Sequence, residues 1–271
     1  MTHIISKERG FAFVHIPRCG GSTIWRGLGS FDDTGRVFSP EPVVHEQLGR
    51  VWLGHLPLWA IEQHYRPLYD IMRRSWTFAI TRDPFARFGS ALAQRGRLFL
   101  GMDIAMLTEA QLHAEASKVA RVLDETEGVV PPEFCHFIRQ TDFVRNGDGD
   151  QVVATYPIEQ YRRLLAVIEA KTGAKVKDSR VNATEVPLGR SARTAWSVMK
   201  RLFPERLQVS LRVALGGLVR STGAGAGLSF VYHAPTRDFI EHFYREDFQL
   251  VEQTKKDFAR ESHLTSRWRG E

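Results

Sequence analysis

The stretch FAFVHIPRCGGSTIW, residues 11–25, decides the fold of the chain. It begins with a run of apolar and β-branched residues that is typical of a buried strand, passes through Gly20 and Gly21, and becomes a helical pattern near Ser22. A strand that turns tightly into a helix aims backbone N–H groups and the positive end of the helix dipole at one point. Such a point binds anions, usually phosphate, and Arg18 adds a fixed positive charge there.

Two further apolar runs, 50–55 and 76–81, have the composition of buried strands. Helical patterns follow them, beginning near Leu58 and Pro84. Strands that alternate with helices favour a parallel sheet with right-handed crossovers, so the sequence predicts an α/β, three-layer fold with a central parallel sheet. The later part of the chain predicts one more strand, at 152–156, and helices at 108–127, 157–171 and 236–261.

The composition bounds the domain count and the compartment. With 271 residues, 43% of them hydrophobic, the chain can bury one full core, and we expect a single domain over 1–271. Apolar runs stay well short of a membrane span, and the first residues lack the pattern of a secretory signal, so a soluble, cytoplasmic protein is expected. The two cysteines, Cys19 and Cys135, fit free thiols better than a disulfide framework or a metal-ligand spacing.

The positive charge is concentrated in one segment. The whole chain has a formal charge of +6, and residues 190–220 alone carry seven basic side chains against Glu205. This asymmetry indicates a local role and is unlike a nucleic-acid binder. We predict a basic helical insertion at about 190–235. Its helices either cover the core with arginines in solvent, or, over 190–222, hold an anionic or lipid-linked acceptor by peripheral contact with the inner membrane face.

Three common anion-binding loops fit residues 11–25 poorly. The nucleotide-triphosphate P-loop requires a lysine before Ser22 and a glycine where Ile16 stands, and the dinucleotide fingerprint also fails. In a cysteine phosphatase loop with Cys19 as nucleophile, the arginine would lie one position before Arg26. Each of these loops therefore matches only in part.

The segment FVHIPRCGGST, residues 13–23, closely resembles the 5′-phosphosulfate loop of the carbohydrate branch of sulfotransferases, F-V-H-I-P-K-T-G-G-T-S. These enzymes use 3′-phosphoadenosine 5′-phosphosulfate (PAPS). The sequence departs from the family at Arg18, where lysine is usual, at Cys19, where threonine is usual, and in the order of the two hydroxyl residues. The resemblance implies a P-loop-like nucleotide-binding architecture whose 5′-phosphosulfate is held by Arg18, Cys19, Gly20, Gly21, Ser22 and Thr23.

A second segment, residues 77–92, resembles the 3′-phosphate motif of the same family, R-D-P-x-x-R-x-x-S. Asp83 and Pro84 suit the start of a helix, and the resemblance implies that Arg82 and Ser90 bind the 3′-phosphate. Weaker similarity to later family blocks continues at 136–150, 181–186 and 243–253, so the resemblance covers most of the chain except 190–235.

Sulfuryl transfer also needs a base for the acceptor hydroxyl. His55 ends the predicted strand 50–55, and ligands in open α/β sheets bind at the carboxyl ends of strands. The catalytic candidates are therefore His55 as base and Arg18 as the group that stabilises charge on the leaving phosphate, with His45 as the runner-up base. The remaining candidates are interpreted as structural histidines, namely His15, His64, His113 and His136.

The predicted function is transfer of a sulfuryl group from PAPS to a hydroxyl of a carbohydrate or glycolipid by in-line displacement. No metal and no nucleic acid are expected to take part. A nucleotide kinase or triphosphatase is the first alternative, but it would need a loop lysine and magnesium ligands at the motif positions. A peripheral membrane-binding module is the second, and it leaves both phosphate motifs unexplained.

Overall fold

The computed structural model describes residues 2–38, 41–101, 104, 107–177, 184–187, 219–222, 231 and 233–267. The chain divides into two compact units. The first comprises Met1–Ser179 with Leu228–Glu271, and the second comprises Arg180–Gly227. The prediction of a single domain with an insertion at about 190–235 stays a prediction.

Within the described residues, the strands are β1 (Ile4–Ser6), β2 (Phe11–Val14), β3 (Val43–His45), β4 (Gly49–Val51), β5 (Trp76–Thr81), β6 (Ala154–Pro157), β7 (Thr184–Pro187) and β8 (Val219–Thr222). The helices there are α1 (Ser22–Leu28), α2 (Leu58–His64), α3 (Arg66–Arg74), α4 (Pro84–Phe99), α5 (Glu109–Glu125), α6 (Thr141–Val144), α7 (Tyr161–Thr172), α8 (Thr236–Phe243) and α9 (Arg245–Arg267). In the second unit, β7 and β8 form an antiparallel ribbon.

The first unit is an α/β structure with a mixed central sheet flanked by helices. Its strand order is β1-β2-β5-β6, in which β2, β5 and β6 are parallel and β1 is an antiparallel edge. The predicted strands 11–16, 76–81 and 152–156 are thus confirmed as strands, with shorter or shifted ends. The edge strand β1 was missed because three residues are too few to show a periodic pattern.

The predicted strand at 50–55 is wrong. Residues of this run form β4 of a small antiparallel hairpin with β3 and then a 3₁₀ turn at Leu53–His55, while β2 pairs directly with β5. Val51 and Leu53 are nevertheless buried. A short apolar run indicates burial without specifying strand or turn, which is why the sequence misled here. His55 therefore lies at the end of a turn, and not at the carboxyl end of a sheet strand.

Two helix boundaries also differ from the sequence prediction. Pro157 is the last residue of β6, and helix α7 begins only at Tyr161, after a 3₁₀ turn. The C-terminal helical pattern at 236–261 is two helices, α8 and α9, which meet at Tyr244. The helix predicted at 108–127 is confirmed as α5, with a capping box between Thr108 and Gln111.

Aromatic residues fill the core where the three parallel strands meet. Trp76 stacks on Phe78 with ring centroids 4.4 Å apart, and Phe78 lies 5.2 Å from Phe13 on the neighbouring strand. This packing fixes the sheet order and so places the ends of β2 and β5 side by side. The amphipathic helices predicted within 190–218 lie outside the described residues. Among the helices that the structure describes, none has the length and apolar character needed to cross a membrane.

Candidate anion-binding site and histidine cluster

The loop between β2 and α1 has an unusual backbone. Arg18 has a φ of 67° and Gly20 a φ of 80°, so a non-glycine residue occupies the left-handed region at the centre of the loop. Such strain costs free energy and occurs preferentially at functional sites. At Gly21, a Cβ would lie 2.9 Å from both His15 Nδ1 and Phe13 Cζ, so this glycine is needed for packing whatever the loop binds.

The side chain of Arg18 joins the two sequence motifs. Its Nε and Nη2 donate to Ser90 Oγ at 3.0 and 2.9 Å, and its Nη1 donates to Gln94 Oε1 at 3.2 Å. Ser90 lies in α4 and is completely buried. The structure therefore brings together Arg18 of the first motif and Ser90 of the second, which are 72 residues apart.

Arg82 also reaches the first loop. It follows β5 directly, and its Nη1 donates to the backbone oxygen of Arg18 at 3.1 Å. Asp83 caps α4 by accepting from the backbone N–H of Ala86, as the sequence predicts. Arg18, Arg82 and Ser90 thus lie in one polar cluster, which we call the arginine cluster. The other predicted loop residues, Ser22 and Thr23, open helix α1, with Thr23 buried.

Gln140, which the sequence did not single out, holds the arginine cluster in place. Its Oε1 accepts from the backbone N–H of Arg82 at 2.9 Å and from Cys19 Sγ at 3.3 Å, and its Nε2 donates to the Arg82 carbonyl at 2.8 Å. The backbone N–H of Gln140 donates to Asp247 Oδ2 at 2.8 Å. One fully buried amide therefore ties the end of β5 to the loop after β2 and to helix α9.

Arg87 has a structural role beneath the cluster. This guanidinium is 1% exposed, lies 3.9 Å from Asp247 Oδ2, and donates to three backbone carbonyls. One is that of Pro17 in the first loop, and the others belong to His136 and Ile138. Arg87 therefore connects the arginine cluster to the segment around His136.

The arginine cluster is strongly electropositive. Burial, helped by the charges of Arg97 and Arg82, lowers the pKa of Arg18 to about 10. Burial also lowers the pKa of Arg82. Both side chains remain charged at neutral pH, and an anion placed between them would relieve their repulsion. Burial raises the pKa of the Cys19 thiol to about 11, so Cys19 is protonated and unsuited to nucleophilic attack.

A second group, which we call the histidine cluster, consists of His15, His55 and His136. The ring centroids of His55 and His136 are 5.1 Å apart, and those of His15 and His55 are 5.8 Å apart, while Trp52 packs 5.0 Å from His55. All three histidines are buried, and their Nδ1 atoms make no hydrogen bond to any described residue. Trp52 Nε1 is likewise buried and without a described partner.

Burial keeps the histidine cluster neutral. The pKa of His136 is lowered to about 3 by burial and by the charges of Arg18 and Arg87. Burial lowers the pKa of His55 and of His15 well below the usual value. The rings are therefore unprotonated at neutral pH and can accept a proton or a metal ion. His136 is predicted to be a structural histidine with its hydrogen bonds satisfied. Its Nδ1, however, makes no hydrogen bond to a described residue.

His3 positions the histidine cluster, and no sequence signal indicated it. Its Nδ1 accepts from the backbone N–H of His15 at 3.1 Å, and its Nε2 lies 3.1 Å from the backbone oxygen of Leu56. These two contacts require the neutral tautomer with the proton on Nε2. His3 therefore joins β2 to the turn that carries His55.

The runner-up base, His45, lies in another setting. It ends β3, and its Nδ1 accepts from the backbone N–H groups of Gln47 and Leu48. Its ring packs 5.7 Å from His64 and 5.9 Å from Tyr65. These contacts make His45 part of the hairpin turn, whereas His55 belongs to the histidine cluster.

Two groups among the described residues could hold a metal ion, in addition to any anion at the arginine cluster. One is the buried set His55, Cys135 and His136, and the other is the more exposed set Glu109, His113 and His233. In the second set, His233 Nδ1 lies 2.8 Å from Glu109 Oε1. Two of the three possible ligand atoms of this set therefore already interact with each other.

Comparison of the chain with protein-family models, curated proteins and solved structures found no significant match. The functional interpretation therefore depends on the geometry of the two clusters.

Proposed function

We propose that this chain is a sulfotransferase with a P-loop-like nucleotide-binding architecture, which uses PAPS as its donor. The observation that supports it most is the contact between the two motifs. Arg18 donates two hydrogen bonds to Ser90 and accepts one at its backbone from Arg82. Two sequence segments that each resemble a phosphate-binding motif thus share one electropositive cluster.

The arginine cluster fits a bisphosphate. Arg18 is bonded to uncharged oxygen atoms of Ser90 and Gln94, which a phosphate or sulfate oxygen can replace with a gain in electrostatic energy. Arg82 and Ser90 would hold the 3′-phosphate, and Arg18 would turn from Ser90 toward the 5′-phosphosulfate. Gln140 keeps the backbone of Arg82 fixed during this exchange.

The side chains then divide the chemical work. The donor supplies the sulfuryl group, which passes in line to the acceptor hydroxyl. Arg18 stabilises negative charge on the leaving phosphate, because its pKa of about 10 keeps it protonated at neutral pH. His55 accepts the proton of the acceptor hydroxyl, since its Nδ1 has no partner among the described residues. Burial lowers the pKa of His55, so the negative charge of the bound donor must stabilise the imidazolium that forms.

The acceptor is proposed to be a hydroxyl of a carbohydrate or glycolipid, as the family resemblance implies. Trp52, a half-buried indole with apolar ring faces, packs against His55, and its buried Nε1–H makes no hydrogen bond to any described residue. A sugar presents the matching apolar face and hydroxyl oxygens. Peripheral membrane contact through 190–222 stays part of the proposal for a lipid-linked acceptor.

Calorimetric titration with adenosine 3′,5′-bisphosphate tests the proposal. Wild type should bind the bisphosphate, and Arg82→Ala or Ser90→Ala should each weaken binding about tenfold or more, as loss of a charge-assisted hydrogen bond does. Arg66→Ala is the matched control, because Arg66 is exposed on α3 and its described contacts are with Glu62, Asp70 and the ring of Tyr69, outside the arginine cluster. Tighter binding of magnesium-ATP than of the bisphosphate would overturn the sulfotransferase assignment in favour of a kinase or triphosphatase.

A further inference from the structure

We propose that His55, Cys135 and His136 form a binding site for a thiophilic metal ion, and that the ion it favours is Cu⁺. No pattern in the sequence indicates this site. Cys135 and His136 are consecutive, and His55 lies 80 residues before Cys135, so no ligand spacing is visible in the chain.

The geometry brings three ligand atoms to one point. One ring nitrogen of each histidine and the Cys135 sulfur all lie within 4.8 Å of one another, and all three residues are buried. They come from two short turns, Leu53–His55 and Cys135–Phe137. Three atoms around an ion at bond lengths of about 2.0–2.3 Å would be about 3.7 Å apart. Side-chain rotations that move each atom by less than about 1 Å would close the site.

The unpaired nitrogens supply the independent reason for a ligand. His55 Nδ1 and His136 Nδ1 are buried and make no hydrogen bond within the described part of the chain. A buried polar atom without a partner is rare in folded proteins and costs about 1–3 kcal/mol. An ion bound through Nδ1 would give each ring the partner that the described side chains do not.

The donor set and the nearby charges select the ion. Two imidazoles and one thiolate suit soft or borderline metals, and they exclude magnesium and calcium, which take oxygen ligands. Cations lie close to the site, because the Arg87 guanidinium donates to the carbonyl of His136 and the charges of Arg18 and Arg87 both act on the His136 ring. A divalent ion on one thiolate leaves a net charge of +1 beside that arginine, whereas Cu⁺ leaves none. Binding forms one S–Cu bond and releases the Cys135 thiol proton to solvent.

Occupancy of this site has a consequence that depends on the proposed function. A ring nitrogen of His55 that binds an ion can no longer accept the proton of an acceptor hydroxyl. Cu⁺ should therefore inhibit sulfuryl transfer while leaving bisphosphate binding at the arginine cluster intact. Copper binding itself does not depend on the sulfotransferase assignment.

Anaerobic competition with the coloured bicinchoninate complex of Cu⁺, in the presence of ascorbate, tests the site. Wild type should withdraw one equivalent of copper, and Cys135→Ser should bind it at least tenfold more weakly. Cys19→Ser is the matched control, because Cys19 is the other buried cysteine and should not affect copper binding. His113→Ala controls for the exposed group on α5 and should also bind as wild type does.

X-ray absorption of copper-loaded wild type keeps the test independent of any variant's folding. The expected first shell is one sulfur and two nitrogen atoms. Failure of wild type to withdraw copper, equal binding by the Cys135→Ser and Cys19→Ser variants, or a shell without sulfur would each overturn the metal site. If the protein binds copper but neither binds the bisphosphate nor transfers sulfate, the result would contradict the proposed function and still support the metal site.

Discussion

The histidine cluster is buried, whereas Arg18 and Arg82 of the arginine cluster are only partly buried. The two clusters also differ in how their polar atoms are satisfied. Arg18 donates to Ser90 and Gln94, and Gln140 uses both ends of its amide on Arg82. The three histidines have Nδ1 atoms that make no hydrogen bond to described residues. The first cluster is therefore held in position by the protein itself, whereas the second has bonding capacity left for a proton, a hydroxyl or an ion.

The largest expected effect concerns Arg87, which connects the two clusters. Arg87→Leu should lower the free energy of unfolding by about 3–5 kcal/mol, because Asp247 would stay buried without its cation. Urea denaturation at neutral pH measures this loss. Arg66→Leu, at an exposed ion pair, should change stability by less than about 1 kcal/mol. A similar small change for Arg87→Leu would mean that the two clusters are not coupled through this residue.

The next effect concerns the base. His55→Ala should reduce sulfuryl transfer about 10²-fold or more. It should leave bisphosphate binding unchanged, because the described ring contacts of His55 are with His15, Trp52 and His136 and not with the arginine cluster. Transfer is measured with radiolabelled donor and carbohydrate or glycolipid extracts. His45→Ala is the control and should retain turnover. If His45→Ala is inactive and His55→Ala is active, the base lies in the hairpin.

A moderate effect is expected for Gln140, which holds the backbone of Arg82. Gln140→Leu has nearly the same volume but removes the two hydrogen bonds that Gln140 makes to the N–H and C=O of Arg82. We expect a loss of about 1–3 kcal/mol in stability and about tenfold in bisphosphate affinity. Gln253→Leu, on the surface of α9, should stay within about 0.5 kcal/mol of wild type. Unchanged bisphosphate affinity in Gln140→Leu would show that Gln140 does not position Arg82.

Two buried histidines, His136 of the histidine cluster and His3 beside it, should make stability depend on pH. His136 and His3 have folded pKa values lowered to about 3 and about 4, whereas the unfolded imidazoles titrate near 6.5. The unfolded chain thus binds more protons, so stability falls as pH drops from about 6.5 toward 4, by about 1.4 kcal/mol per pH unit for each histidine. In metal-free buffer, the free energy of unfolding of His136→Gln, measured with urea, should fall less steeply with decreasing pH than that of wild type. The difference should be the contribution of one histidine, about 1.4 kcal/mol per pH unit. An unchanged slope would contradict the burial of a neutral His136.

The smallest effect is expected at Cys19. Cys19→Ser keeps a donor for Gln140 Oε1, and the thiol is protonated, so bisphosphate affinity and transfer should stay within about twofold of wild type. The free energy of unfolding should change by no more than about 1 kcal/mol. Loss of transfer with binding retained would return Cys19 to the role of a nucleophile.

Local patterns predicted a large part of this fold. β2, β5 and β6 are apolar, β-rich runs followed by helix signals, and Asp83 with Pro84 marks the start of α4 as expected. The same reasoning failed at 50–55, since apolar residues that bury themselves from a hairpin and a turn resemble those of a strand. It placed His55 at a strand end, whereas His55 ends a 3₁₀ turn and packs against Trp52, His15 and His136.

What the sequence determined by itself is therefore the strand, loop and helix around residues 11–25, the second motif beginning at Arg82, and the concentration of charge in 190–220. These depend on residues close together in the chain, and local composition and periodicity encode them. Only the tertiary structure decided that Arg18 bonds to Ser90, that Gln140 holds Arg82, and that His55 meets Cys135 and His136. Contacts between residues so distant in the chain follow from strand order and core packing, which leave no repeating pattern in the sequence.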